Sequence, residues 1–198
     1  MKIAVYGATG IIGSRIVAEA RQRGHEVTAL ARTASPEVQA GDLADAEEVR
    51  GVAAKHDAVV SATGPSRTGA PAQQWLDAVG TLIDSVGTTR VLFVGGAGSL
   101  VVDGTRLIDT PEFPEAYKPE ALAGAAALEL FRAAPDSVDW TFLSPAPVIA
   151  PGERTGTYLL GTDSPVGDAI SAEDYAVALV DEIEQPAHSR ARFTVANA

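Results

Sequence analysis

Short apolar runs alternate along this chain with longer runs in which apolar side chains recur every three or four residues. The short runs have the length of buried strands and the longer runs have helical spacing, so the pattern predicts parallel strands joined by helices. The predicted strands are 1–6, 26–31, 38–40, 57–62, 91–94, 138–143 and 192–195. The predicted helices are 14–23, 46–55, 72–87, 119–133 and 172–184.

Polar residues mark two helix starts and one irregular segment. Asp42 or Asp45 can cap the helix that begins at residue 46, and Ser171 can cap the last helix. The segment 101–118 is charged and rich in proline, which predicts an irregular loop that would serve as a substrate lid.

A glycine triplet follows the first strand directly. Gly7, Gly10 and Gly13 stand three residues apart between that strand and the first helix. In this context the first glycine permits a sharp turn, the second lets a pyrophosphate approach the backbone, and the third allows close helix packing. Backbone N–H groups of residues 10–12 would face the phosphates, which the helix dipole also favours.

The end of the second strand bears on which dinucleotide is bound. NAD-selective sites place a carboxylate there, but this chain has Arg32 and no carboxylate before Glu37. A guanidinium can pair with a 2′-phosphate and stack on adenine. We therefore expect NADP(H) in preference to NAD(H), the alternative being that Arg32 is an ordinary solvated arginine.

Other predicted strands end in small residues, and in a parallel sheet these ends share the ligand-binding edge. The backbone at Asp42 and Leu43 would border the adenine, although Asp42 could equally serve only as a cap. The predicted cofactor contacts are Gly7, Thr9, Gly10, Ile11, Ile12, Gly13, Arg32, Asp42, Leu43, Ala62, Thr63, Gly64, Pro65, Gly95, Gly96, Pro145 and Ala146.

Candidate catalytic residues are few. Ser99 follows the glycine turn at 95–98 and could bond substrate or nicotinamide, or could only cap the turn. Tyr117 could stack on a planar substrate, as could Tyr158, and either could instead be a packing residue. The histidines at 25, 56 and 188 fall away from the predicted ligand edge, so we expect neither a metal site nor a Ser-His-Asp triad.

The composition further limits the possible domain organisation, ligands and chemistry of the protein. The 198 residues suit one α/β domain, 1–198, with a small substrate-side region from about 144 to 198. A net charge of -11 argues against non-specific nucleic-acid binding, and the absence of cysteine excludes thiolate chemistry. The chain opens in a strand, and no uncharged run could span a bilayer, so we expect a cytoplasmic protein with a small-molecule substrate, as a monomer or weak homodimer.

These motifs together resemble the atypical short-chain dehydrogenases/reductases. The glycine triplet, Arg32, the 41–43 turn, the glycines at 95–98 and the Ser-Pro-Ala-Pro sequence at 144–147 occur in familiar order. They are similar to the NmrA-like group, with its NADH-flavin reductases and biliverdin-IX beta reductase. The resemblance implies a Rossmann-like, doubly wound, three-layer fold that binds NADP(H).

The resemblance does not extend to the usual catalytic pair. Ordinary short-chain dehydrogenases use Tyr-x-x-x-Lys, yet here the residues four positions after the tyrosines are Gly10, Ala121, Thr162 and Leu179. The leading hypothesis is therefore an NADPH-dependent oxidoreductase that transfers hydride to a small flavin- or quinone-like acceptor with little side-chain catalysis. A non-catalytic NADP(H) sensor of the NmrA type is the alternative, and a nicotinamide-dependent epimerase or isomerase is less favoured.

Overall fold

An eight-stranded sheet forms the centre of the protein in the computed structural model, which describes residues 1–66 and 68–198. The strands are β1 (Lys2–Tyr6), β2 (Glu26–Ala31), β3 (Gln39–Ala40), β4 (Ala58–Ser61), β5 (Arg90–Val94), β6 (Val101–Val102), β7 (Thr105–Arg106), β8 (Trp140–Pro145), β9 (Val148–Ala150), β10 (Tyr158–Gly161), β11 (Ala169–Ser171) and β12 (Ala191–Asn197). The helices are α1 (Ile11–Gln22), α2 (Ala46–Ala53), α3 (Ala72–Ser85), α4 (Lys118–Arg132) and α5 (Ala172–Glu184).

The central sheet has the order β10-β12-β8-β5-β4-β1-β2-β3, and all pairs are parallel except β10 with β12. This order reverses direction between β1 and β4, which is where doubly wound sheets bind ligands. The register aligns Tyr6 with both Leu30 and Ser61, so the carboxyl ends of β1, β2 and β4 lie at one edge. The expected Rossmann-like parallel sheet is confirmed.

Helices cover both faces of the sheet. The α1 and α5 helices pack on one face, around buried residues such as Ile16 and Leu179. The α2, α3 and α4 helices pack on the other, where Phe93, Phe131 and Phe142 form an aromatic cluster. Because β5 and β8 are buried on both faces, their sequences are almost continuously apolar.

Two predicted caps are resolved by the structure. The Asp45 carboxylate accepts hydrogen bonds from the backbone N–H groups of Glu47 and Glu48, so Asp45 rather than Asp42 caps α2. The Ser171 hydroxyl accepts from the N–H of Asp174, as expected for α5.

Two expectations about local structure were wrong, and three strands were not predicted. The strand expected to end at Leu143 continues to Pro145, because β12 pairs with it as far as Val195 opposite Pro145. The segment 101–118 contains the β6–β7 hairpin and two 3-10 turns, with Leu100 and Ile108 fully buried beneath it. The tail also forms β9, β10 and β11, which the sequence pattern did not predict.

Candidate nucleotide-binding site

The turn after β1 is closed by contacts that leave no room for side chains at two of its glycines. Gly7 has a positive φ of 78°, and a Cβ there would lie 2.4 Å from the carbonyl oxygen of Ala62 at the end of β4. A Cβ on Gly13 would lie 2.1 Å from the Gly7 carbonyl oxygen. The predicted role of Gly13 is therefore refined, since it packs against the turn itself. Gly10 is less constrained, its nearest neighbour being the Gly7 oxygen at 3.3 Å from a Cβ.

The N-terminus of α1 begins at this turn without a cap. Gly10 occupies the cap position and has no side chain to bond the first N–H groups, and the first turn contains no acidic residue. By contrast α2 and α5 have both a capping side chain and two acidic residues in their first turns. The open N–H groups and the positive end of the helix dipole of α1 thus fit an anionic pyrophosphate.

Arg32 lies immediately after β2, at the edge of the sheet where α1 begins. Its side chain is exposed and has no hydrogen bond or ion pair with any residue in the described ranges. The Ala31 carbonyl accepts a 2.9 Å hydrogen bond from Gly41 N–H, which ties the start of the Arg32 segment to the end of β3. A guanidinium that has no internal partner is available to a ligand phosphate.

The turn predicted to border the adenine is held by Glu48 of α2. Its carboxylate accepts from the Asp42 N–H at 3.1 Å and from the Tyr6 hydroxyl at 3.3 Å. Burial, together with the nearby Glu48 carboxylate, raises the pKa of Tyr6 well above its usual range. The Leu43 side chain is buried beneath the turn. Helix α2 therefore fixes the shape of this turn, while Asp42 itself remains exposed.

The segment after β4 is predicted to pass the cofactor ribose. The Thr63 hydroxyl already has hydrogen-bond partners within the protein. It accepts from the Trp75 indole at 3.1 Å and lies 3.0 Å from the Ser61 hydroxyl. The Trp75 ring also contacts Phe93, so this side chain packs against the core. Gly64 is exposed and Pro65 is half-buried, so this stretch presents mainly backbone to a ligand.

The glycine turn after β5 has packing constraints at both ends. A Cβ on Gly95 would lie 2.0 Å from the Phe142 ring, and a Cβ on Gly98 would lie 2.8 Å from the Ala121 methyl. Packing therefore explains these two glycines without any ligand. A Cβ on Gly96 would point into open space, so this turn can face a ligand at Gly96.

The predicted contacts at Pro145 and Ala146 are placed below the surface. Both residues are buried, because β8 extends through Pro145 and Ala146 joins the core on the α1–α5 face. The two exposed residues after them are Pro147 and Val148.

The candidate catalytic residues occupy three different environments. Ser99 is 9% exposed and its Oγ accepts a 2.9 Å hydrogen bond from Arg192. Tyr117 is 64% exposed at the start of α4. The Tyr158 hydroxyl donates to Asp181 at 2.6 Å, and burial raises the pKa of that phenol. The strand register places the glycine turn and Arg32 at the same edge of the sheet. Ser99 and Tyr158 each have a hydrogen-bond partner within the protein, and the Tyr117 ring is exposed.

The three histidines lie away from this edge, as expected. The His56 imidazole contacts the Val52 carbonyl and the Thr28 hydroxyl, His25 contacts Glu184, and His188 contacts Glu182. His188 also stacks on Phe193. Within 1–66 and 68–198, no group of three or more His, Cys, Asp or Glu residues is arranged to hold a metal ion.

The comparison with protein families identifies the family to which the chain belongs. A family model described as NAD(P)H-binding matches residues 7–186, which begins at the first glycine of the turn and extends through α5. The chain belongs to the NAD(P)H-binding family. Membership of this family supports a nicotinamide cofactor, and the resemblance to the atypical short-chain dehydrogenases/reductases is confirmed.

Several relatives of this NAD(P)H-binding protein match nearly its whole length. An uncharacterised Bacillus subtilis protein, YwnB, is 45% identical, with 98% of both chains covered. A solved structure from Streptococcus pneumoniae, provisionally named an NADH-flavin reductase, is 38% identical with a TM-score of 0.91 and full coverage of both chains. One from Bacteroides thetaiotaomicron, provisionally named an epimerase, is 38% identical with a TM-score of 0.85, covering 99% of this chain and 96% of that one.

Two residues that shape the site were missed from the sequence. Glu48 stands in an amphipathic run and Arg192 in a short apolar run. In either place a charged side chain is ordinarily solvated. Their roles depend on contacts across the fold, with Tyr6 in one case and Ser99 in the other. The placement of Arg192 in a predicted strand among apolar residues was the one available signal.

No helix in the described ranges is both long enough and apolar enough to cross a membrane.

Proposed function

We propose that this NAD(P)H-binding protein is an NADPH-dependent oxidoreductase that passes a hydride to a small planar acceptor, flavin-like or quinone-like. The observation that carries the proposal is the uncapped start of α1 at the same edge of the sheet as Arg32, which has no hydrogen-bond or ion-pair partner among residues 1–66 and 68–198. The helix start would take the pyrophosphate and Arg32 would take the 2′-phosphate. The remaining cofactor contacts would be those predicted at the ends of β3, β4, β5 and β8.

The protein would act mainly by orientation. Bound NADPH supplies the hydride when it is present. The turn at Gly96 would set the face of the nicotinamide, and the exposed edge at Pro147 and Val148 would receive the acceptor. Holding two reactants in the correct geometry can lower a barrier by roughly 7–11 kcal/mol. Solvent, or Ser99, would supply the accompanying proton.

The choice of acceptor class rests on two supports. The Streptococcus pneumoniae protein is 38% identical and its name refers to flavin reduction. The chain also lacks a Tyr-x-x-x-Lys pair, and a flavin or quinone needs no strong acid to accept a hydride. That relative's name specifies NADH, so the NADPH preference proposed here depends on Arg32 alone.

The test is oxidation of NADPH and of NADH, followed by the absorbance of the reduced nicotinamide, with FMN, riboflavin, a quinone and a tetrapyrrole as acceptors. Turnover should be faster with NADPH and should require one of the planar acceptors. A Gly13→Ala variant, whose turn cannot close, is the control for adventitious reduction. Absence of turnover with every acceptor, despite tight NADPH binding, would contradict the oxidoreductase proposal.

A non-catalytic NADP(H) sensor of the NmrA type is the second candidate. It is supported by the fact that two candidate catalytic hydroxyls already have hydrogen-bond partners within the protein. Ser99 accepts from Arg192, and Tyr158 donates to Asp181. Tight binding without turnover in the same assay would favour it. The epimerase or isomerase alternative is weaker, because the tyrosine–lysine pair that such enzymes generally retain is missing here.

The remaining proposals concern organisation. We propose that residues 1–198 form one NAD(P)-binding domain and that the region from about 144 to 198 borders the acceptor. We also propose that the protein is cytoplasmic and is a monomer or a weak homodimer. Analytical ultracentrifugation with and without NADPH tests the last of these.

A further inference from the structure

A cation is buried beside the glycine turn, in a place that the proposed reaction does not use directly. The Arg192 side chain on β12 is only 3% exposed. Its guanidinium donates to the Ser99 hydroxyl oxygen at 2.9 Å and to the Asp163 carboxylate, through Nε at 2.9 Å and through a second, shorter contact. All three of its nitrogen atoms therefore have acceptors.

The surroundings of Arg192 are those of a core position. It is aligned in the sheet register with Phe142 of β8, which is fully buried. Only the arginine of the ion pair is buried, since the Asp163 side chain is 61% exposed. Burying the guanidinium costs solvation, and an apolar residue of similar volume is often equally or more stabilising. Stability alone therefore does not account for an arginine here.

The arginine connects two segments that are distant in sequence. Ser99 directly follows the 95–98 turn, and Asp163 follows β10 at the edge of the sheet. The Asp163 carbonyl also accepts a 2.8 Å hydrogen bond from Val101 N–H. The segment 99–101 is thus fixed to the far edge of the sheet by one side-chain link and one backbone link.

The turn itself is fixed at its other positions by packing. Gly95 N–H donates to the Leu143 carbonyl at 2.8 Å, and Gly98 fits against Ala121 of α4. Gly96 has neither kind of constraint. Its position is set by the segments on both sides. On the C-terminal side, Leu100 N–H donates to the Ala97 carbonyl at 2.9 Å and Ile108 N–H to the Gly98 carbonyl at 3.0 Å, and Ser99 adds the side-chain link to Arg192.

We propose that Arg192 is a positioning residue that holds the 95–98 turn, through Ser99, in the place where Gly96 supports the nicotinamide ring. This inference rests on the proposed function, because it assumes that the turn borders the nicotinamide. Arg192 does not touch substrate or cofactor in this account. Ser99 acts with it by accepting its hydrogen bond, which does not use the proton of the Ser99 hydroxyl.

The test separates the nicotinamide half of the cofactor from the rest. Calorimetry would compare the dissociation constants of NADPH and of 2′-phospho-ADP-ribose, which lacks the nicotinamide. In the wild-type protein NADPH should bind more tightly. In Arg192→Met this advantage should fall to within about twofold of unity, while the affinity for 2′-phospho-ADP-ribose stays within about threefold of wild type.

Controls distinguish positioning from loss of stability. Arg190→Met removes a neighbouring arginine that donates to the carbonyls of Pro135 and Val138 and has no contact with Ser99. It should retain the NADPH advantage even if its unfolding free energy falls. Arg192→Lys, which can still donate to Ser99, should recover part of the advantage.

A double-mutant cycle adds a second readout. Ser99→Ala should reduce the NADPH advantage as Arg192→Met does, and the double variant should be no worse than either single variant, because both remove the same link. Additive effects, or an unchanged advantage in Arg192→Met, would overturn the inference. If the wild-type protein binds neither ligand, it is the proposed function that fails.

Discussion

Gly13 and the carbonyl oxygen of Gly7 are so close that a methyl group cannot be inserted between them. A Cβ on Gly13 would lie 2.1 Å from that oxygen, and both partners are backbone, which cannot move aside as a flexible side chain can. The contact joins the first turn of α1 to the end of β1. The open N–H groups of α1 are therefore placed by a contact that depends on glycine.

We expect Gly13→Ala to lower the free energy of unfolding by about 1–3 kcal/mol and NADPH affinity by about tenfold or more. The reason is that the turn and α1 must separate to admit the methyl group. Gly51→Ala in α2 is the matched control, since a Cβ there meets nothing within 4 Å. It should raise stability by about 0.5–1 kcal/mol without changing affinity. Normal NADPH binding by Gly13→Ala, measured by calorimetry, would contradict the described turn.

Tyr117→Ala tests the predicted stacking of an acceptor on the exposed ring at the start of α4. Loss of an aromatic contact should raise the KM for a planar acceptor by about two- to tenfold and leave the NADPH dissociation constant unchanged. Two control variants test whether the effect is specific to the Tyr117 ring. Leu122→Ala removes an exposed apolar side chain one turn further along α4, and Tyr158→Phe removes only the hydrogen bond to Asp181. Neither should alter that KM, and an unchanged KM in Tyr117→Ala would exclude the stacking role.

The pH dependence of stability should contain a contribution from Glu19 on α1. This side chain is 4% exposed, and hydrogen bonds from Arg154, then from Arg23, hold its pKa below the ordinary value of 4.5. At pH values between the lowered pKa of Glu19 and 4.5, the unfolded chain binds more protons than the folded one. The stabilisation is therefore complete above about pH 4.5 and is lost as the pH falls through the lower folded-state pKa.

The check is urea unfolding of wild type and Glu19→Gln at neutral and acidic pH. At neutral pH the variant should be less stable by about 1–3 kcal/mol, and the gap should narrow as the pH falls. Glu129→Gln, which breaks an exposed pair with Arg132, should change stability by at most about 1 kcal/mol. A gap that widens in acid would be inconsistent with a depressed pKa for Glu19.

The elements of the fold whose signals are local could be predicted. The strand 26–31 and the helix 172–184 agree with the structure at both ends, since apolar periodicity and a capping Ser171 mark them. The strand β8 could not be bounded in this way, because its last two residues are extended by pairing with β12. Long-range pairing leaves little trace in a local pattern.

In the candidate site, too, the residues with local signals could be predicted and those that depend on long-range contacts could not. The glycine spacing predicts the turn and the start of α1, and Arg32 could be identified by its position after a strand. The role of Ser99 could not be predicted, because its partner Arg192 is 93 residues away in the chain. The burial of Pro145 and Ala146 likewise depends on β12 and on the α1–α5 core.

The most direct measurement of the central claim is a calorimetric titration of wild type and Arg32→Ala with NADPH and with NADH. The account predicts that wild type binds NADPH more tightly by about 10- to 100-fold, as expected for charge-assisted hydrogen bonds to one phosphate. Arg32→Ala should bring the two dissociation constants within about threefold. Arg21→Ala, which removes an arginine near Glu37, should keep the preference. Equal affinities in wild type, or a preference that survives Arg32→Ala, would contradict the assignment of Arg32 to the 2′-phosphate.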